Sequence, residues 1–244
     1  MKAFLAALSL LTVFPLKVKE IPPVGRVVVF FPLVGALYGG FVVGWVVLGT
    51  LLHIPQSMIG CGMIALPLFV NGFFHFDGWC DTWDGFLPLA SQKKRLEIMK
   101  DSRVGVFGLA MGVILLLFRY SLYPLVIPHL WGIEFSWILS RSAMVWIGYK
   151  ASYPREKGTA SFLVGQVPPW AFWGVGLEVL MVTLALTWIV GSVKFFLSLA
   201  ICFVVTWGMR KLSFCKIGGI TGDVIGAVAE MVEILSLLVW MGGL

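Results

Sequence analysis

Seven apolar runs, each near the length that crosses a lipid bilayer as a helix, follow one another with short polar breaks. They cover Val27 to Leu52, Ser57 to Phe74, Val104 to Ile127, Ile133 to Tyr149, Trp170 to Val190, Val193 to Met209 and Gly218 to Leu244. A bilayer core takes about 20 helical residues per span. The chain is 59% hydrophobic and 12% charged, against about 25% charged in a soluble domain. The expected fold is therefore all-α: a polytopic transmembrane helical bundle of about seven spans. Residues 1–244 form one integral membrane domain with membrane lipid as its solvent, and no length is left for a second domain.

The basic residues test that layout. Segments 1–26, 77–103, 150–168 and 210–217 hold 4, 5, 3 and 3 of the 18 Lys and Arg, while the links at 53–56, 128–132 and 191–192 hold none. Positive charge marks cytoplasmic loops. The asymmetry predicts a cytoplasmic N-terminus, an external C-terminus, and every polar loop on the cytoplasmic side. The net charge of +6 thus reflects topology and phosphate chemistry, not nucleic-acid binding. Residues 1–16 have a signal-peptide outline, but Pro15, Lys17 and Lys19 follow the apolar run and no small-x-small cleavage site does; a retained interfacial or half-inserted helix is expected. The cysteines at 61, 80, 202 and 215 form no CxxC pair and read as buried free thiols.

Only twelve acidic residues occur, and eight fall in two blocks. In the first, Asp77, Asp81 and Asp84 stand at i, i+4 and i+7, one face of a helix continuing out of the second span. Like charges on one stripe repel, so a cation is expected there. Oxygen ligands without a sulfur or imidazole cluster favour Mg²⁺, with Mn²⁺ as the alternative. In the second block Asp223, Glu230 and Glu233 share a face, with the glutamates well inside an apolar segment. Intramembrane carboxylates cost on the order of 2.5–3.5 kcal/mol each and need partners. Metal ligation or support of ligands is the favoured use, and pairing with arginine the alternative.

Basic groups that suit a diphosphate lie nearby: Arg95, Lys100 and Arg103 around Asp101, and Arg141 inside a span, where a buried guanidinium needs an anion. Gly218, Gly219 and Gly222 precede the second acidic helix, and free N–H groups at a helix start suit phosphate. His75 is a candidate substrate contact. Asp81 or Asp101 is the candidate general base.

Three segments carry a resemblance: His75-Phe-Asp77-Gly-Trp-Cys-Asp81-Thr-Trp-Asp84-Gly, then Arg95 through Lys100-Asp101-Ser-Arg103 to Gly108, then Gly218-Gly-Ile-Thr-Gly-Asp223. Together with Phe31 to Gly35 and Tyr153-Pro-Arg155-Glu-Lys-Gly158, they resemble the cobalamin synthase family, the adenosylcobinamide-GDP ribazoletransferases. Phe76 stands where that family usually has leucine, and Trp79, Cys80 and Trp83 replace small apolar residues; no charged group is lost. The resemblance implies an Mg²⁺-dependent transferase of a prokaryotic inner membrane. It would join adenosylcobinamide-GDP to α-ribazole or α-ribazole 5′-phosphate and release GMP, late in cobalamin synthesis. The competing expectations are another membrane phosphotransferase, of CDP-alcohol or prenyltransferase type, and a cation transporter using Glu230 and Glu233. Oligomeric state leaves no mark in the sequence.

Overall fold

The computed structural model describes residues 1–16 and 21–241, so Lys17 and Lys19 of the N-terminal basic group lie outside the described residues. Eleven helices and no strand occur among them. A short apolar helix, α1 (Lys2–Leu11), and one turn, α2 (Val24–Val28), lead into α3 (Phe31–Leu51). Then come α4 (Gln56–Val70), α5 (Phe74–Phe86), α6 (Gln92–Ile98) and α7 (Val106–Val126). The chain ends with α8 (Leu130–Gly148), α9 (Pro169–Val190), α10 (Lys194–Ile217) and α11 (Gly222–Leu238).

Four stretches are long and apolar enough to cross a membrane: α2 with α3, α7, α9 and α10; the bent pair α4–α5 would be a fifth. The seven apolar runs all become helix, but α8 and α11 are not among these outer spans. They run through the middle of the bundle, with nearly every side chain buried. By contrast α9 leaves Trp173, Leu177 and Trp188 exposed, as a lipid-facing helix does. The glycines of α3 bring α8 close: a Cβ on Gly35 would lie 2.5 Å from the Trp137 carbonyl oxygen, so only glycine permits this backbone approach.

The second span does not run straight into the aspartates as expected. It stops at Val70, and the axis turns by 91° before α5. Gly72 and Phe73 both take φ near +62°; glycine enters this region freely, while Phe73 does so under strain. Pro67, inside the last turn of α4, removes a helical N–H and weakens continuation. The bend lays α5 against α11 at the end of the bundle that carries the positively charged loops.

Candidate phosphate and metal site between α5 and α11

Helix α5 meets the start of α11 with almost no side chain between them. A Cβ on Gly78 would sit 2.8 Å from the Asp223 carbonyl oxygen, and one on Gly226 would sit 3.1 Å from the His75 Cα. These two glycines let Asp77 and Asp223 approach from different helices. Both line a cavity of about 450 Å³, together with His75, Gly222, the end of α1 and the 159–163 turns. Asp81 stands one turn further along α5, within electrostatic reach of Asp77, Asp223 and Asp84, with Arg155 as the opposing charge.

Thr221 caps α11 by accepting from the Val224 N–H, and its hydroxyl also reaches Asp223 Oδ2 at 3.2 Å. The same Oδ2 accepts from Arg155 Nη2 at 2.6 Å. Asp223 Oδ1 and both carboxylate oxygens of Asp77 and Asp81 have no hydrogen-bond donor among the described residues.

Several expected site residues have other work. Asp84 shares the α5 stripe but turns to α7, where its two oxygens accept from the Gly105 N–H at 2.7 Å and the Gly108 N–H at 2.8 Å. It caps a helix start, where a carboxylate also meets the favourable end of the dipole, so both oxygens expected on a metal meet α7 instead of the cavity. Arg95, expected on phosphate, is buried and donates to the carbonyls of Gly85 and Phe86, both at 2.8 Å, and of Ala90. It closes the C-terminal end of α5. Gly218 takes φ +74° as the C-cap of α10 and donates its N–H to the Phe214 carbonyl. Ser152 and Ser213 hydroxyls hold the carbonyls of Gly218 and Gly219. Both glycines build the α10–α11 turn, and of the three only Gly222 lines the cavity.

Lys100, Asp101 and Arg103 stand on an exposed loop outside the cavity lining. Arg103 grips Asp101 through Nε at 3.0 Å and Nη2 at 2.8 Å, and these bonds hold the carboxyl down at about 2. Such a group stays ionised until pH falls to about 2 and is a weak proton acceptor near neutrality.

The buried glutamates follow the alternative, pairing with arginine, but through Arg119 instead of Arg141. Arg119 pairs with Glu230 and, at 2.7 Å, with Glu233; the Tyr123 hydroxyl donates to Glu233 at 2.8 Å. Both Glu233 oxygens are thus taken, and the pair is a structural clasp between α7 and α11. Arg119 stands where a metal was expected beside these two glutamates. Arg141 packs against the stacked rings of Tyr38 and Trp137, 4.4 and 5.0 Å from their centres, and donates to Ser140. Aromatic faces, not a carboxylate, are its principal neighbours. His75 is buried, lines the cavity and leaves Nδ1 without a partner among the described residues.

The sequence reading missed Arg155. Its signal was present in the Tyr153 to Gly158 stretch, but nothing in sequence spacing ties that loop to Asp223, 68 residues away.

Among the described residues no three His, Cys, Asp or Glu side chains converge as a ready-made metal cage. Asp77, Asp81 and Asp223 carry hard oxygen donors, the ligand type that Mg²⁺ takes.

Comparison with known proteins agrees across the chain. The sequence model of the family described as cobalamin-5-phosphate synthase matches residues 3–241. A relative named adenosylcobinamide-GDP ribazoletransferase, from Acinetobacter baumannii, is 33% identical over 96% of this chain and 94% of its own length. Relatives with that name are 34% identical in Desulfitobacterium hafniense, over 86% of this chain and 83% of theirs, and 32% in Thermosynechococcus vestitus, over 98% and 96%. No solved structure matches the chain. With an all-helical membrane bundle, paired acidic helices and a family match over nearly its whole length, the chain belongs to the cobalamin-5-phosphate synthase family.

Proposed function

We propose that the chain is an adenosylcobinamide-GDP ribazoletransferase, joining adenosylcobinamide-GDP to α-ribazole or α-ribazole 5′-phosphate and releasing GMP. The observation that carries this reading is the meeting of Asp77 and Asp223, from two separate helices, on one cavity. Asp81 and the cationic Arg155 stand beside them. Diphosphate chemistry needs such a place: charge to hold the phosphates, and an unengaged oxygen to take a proton.

Asp77 and Asp223 would hold Mg²⁺, which supplies positive charge to the diphosphate oxygens when bound, while Asp81 beside them keeps an oxygen for the proton. Gly222, at the first turn of α11, lets a phosphate approach the helix start without a side chain in the way. The ribazole hydroxyl attacks the phosphorus that carries the cobinamide arm. A new P–O bond forms, the bond to the GMP oxygen breaks, and the hydroxyl proton passes to Asp81. Asp81 suits this step better than Asp101 because it has no donor holding its oxygens among the described residues, whereas Arg103 holds both oxygens of Asp101. His75 offers its free Nδ1 to the substrate.

The positive-inside pattern supports a cytoplasmic position for this end of the bundle and for the N-terminus in a prokaryotic cell, on the side of nucleotide substrates. The test is incubation of the purified, detergent-solubilised chain with adenosylcobinamide-GDP, α-ribazole and Mg²⁺. GMP and the joined corrinoid, identified by mass, are expected in equal amounts and absent with EDTA. Substrates recovered unchanged would remove the reading.

A further inference from the structure

The cavity between α5 and α11 has two unlike ends. Asp77, Thr159 and Asp223 give its lining a polar part, but Phe31, Phe74, Met144, Phe162 and Ile225 line it too. The helices meet antiparallel, and that sets the order along the cavity. Gly78 meets Asp223, while His75, about one turn back, meets Gly226, about one turn on. Thr159 belongs to the Asp223 end, since its Oγ1 would lie 3.3 Å from a Cβ on Gly222. The carboxylates therefore stand at the start of α11, and Phe74 comes level with Ile225 and Gly226, about 5 Å further along. Leu10 and Leu11 of α1 add to the apolar lining. That helix is held in place by the Tyr38 hydroxyl on the Leu11 carbonyl and the Val13 N–H on the Val70 carbonyl.

Three bulky groups take part in the reaction proposed above: a corrin ring, guanosine and the base of α-ribazole. A volume of about 450 Å³ suits a nucleoside-sized body and is far too small for the corrin ring with its adenosyl ligand and side arms. Guanine presents N–H donors beside its O6 and N7 acceptors, and buried donors or acceptors left unmade are costly. Ser9 and His75 are the remaining polar side chains of the lining, too few for that edge. The dimethylbenzimidazole base of α-ribazole is flat, carries only methyl and C–H groups on its outer edge, and has one free ring nitrogen. Of the three groups it is the one that an apolar, aromatic wall suits. The step of about 5 Å between the two ends is close to the reach of a ribose from its 5′-hydroxyl to its base.

Resting on the transferase reading, we infer that the apolar end of this cavity is the subsite for the acceptor's base, with Phe74 and Phe162 flanking the ring and the ribose 5′-hydroxyl directed to the carboxylates. The activated corrinoid then brings its diphosphate to Asp77 and Asp223, while its corrin ring and guanosine stay outside the cavity. Phe74 is 68% exposed, so its removal costs the fold little. A side chain kept only for contact with lipid would not discriminate between the two substrates.

The experiment measures KM for each substrate by GMP release from the detergent-solubilised full chain. Phe74→Ala is expected to raise KM for α-ribazole about 10-fold and to leave KM for adenosylcobinamide-GDP within about twofold of wild type. Phe74→Tyr keeps the ring and should stay within about threefold of wild type for both. An α-ribazole analogue without the two methyl groups should raise KM about 10-fold in wild type. In Phe74→Ala the same analogue should raise it less, because the methyl groups have lost part of the wall they met. A KM for α-ribazole that is unchanged in Phe74→Ala, or that rises no more than the KM for adenosylcobinamide-GDP, would overturn the inference. Should that variant not fold, Phe162→Ala is read by the same criteria. If wild type releases no GMP, the transferase reading fails by itself, and equilibrium dialysis of radiolabelled α-ribazole with no corrinoid present decides the subsite. Binding about 10-fold weaker in Phe74→Ala upholds it, and binding that is equal in the two proteins or absent from both overturns it.

Discussion

Asp77 and Asp84 stand two turns apart on one helix and serve opposite ends. Asp77 keeps its oxygens for the cavity, whereas Asp84 spends both on the N–H groups of Gly105 and Gly108. Asp84→Ala therefore should act on stability. Losing two charge-assisted bonds in a buried place is expected to cost about 2–4 kcal/mol, read as a lowered unfolding midpoint in detergent, with Mn²⁺ affinity of the folded fraction unchanged. Arg95→Ala belongs to the same class: three backbone carbonyls lose their donor, so melting temperature should fall while KM for the nucleotide substrate holds. A raised KM with wild-type melting would return Arg95 to the phosphate site. At this scale the sequence showed which residues are exceptional, because a carboxylate or guanidinium in an apolar chain needs a partner. It did not show the partner. Spacing places Asp84 on the Asp77 face, but only the packing of α7 decides that its oxygens meet a helix start.

At the scale of elements, the site exists because α5 and α11 touch along glycine. Gly78→Ala would place a methyl group 2.8 Å from the Asp223 carbonyl oxygen, and helix backbones do not yield there as a side chain does. The helices must separate, which moves Asp77 from Asp223. A displacement near 1 Å is expected to reduce GMP release about 100-fold, with a smaller loss of stability, about 1–3 kcal/mol; wild-type turnover would show that the spacing is not critical. The clasp between α7 and α11 is the second element-level device. Arg119→Leu strands Glu230 and Glu233 without their cation, and a buried unpaired charge costs about 3–5 kcal/mol. Poor recovery of folded protein, measured by size-exclusion in detergent, is the expected result. Helix existence was legible from apolar periodicity, and boundaries matched within a few residues in α7 and α9. The 91° turn was not anticipated. Asn71-Gly72 is a turn signal, but the apolar residues on either side of it, Leu68 to Val70 and Phe73 with Phe74, hid it. The length of α10 was also underestimated, since its last two turns carry Arg210, Lys211 and Lys216 and read as loop.

At the scale of the whole molecule, the positively charged loops and the cavity lie at the same end of the bundle. The polar segments between α5 and α7, between α8 and α9, and between α10 and α11 all gather around the cavity end, joined by Arg155 to Met99 and Asp223, by Gln92 to Ile217, and by Ser152 to Gly218. These contacts cross 56, 68, 125 and 66 residues of chain, which is why no local pattern announced them. The positive-inside rule, a property of composition, pointed to that end without them. Everything assigned to the reaction converges on the carboxylates facing this cavity. The most direct measurement is GMP release from adenosylcobinamide-GDP and α-ribazole at saturating Mg²⁺ by wild type and Asp77→Asn, both first shown to be folded by thermal unfolding. The substitution keeps shape and removes one charge. Turnover is expected to fall about 1,000-fold with little change in melting temperature, and a folded Asp77→Asn protein that releases GMP at the wild-type rate would contradict the account.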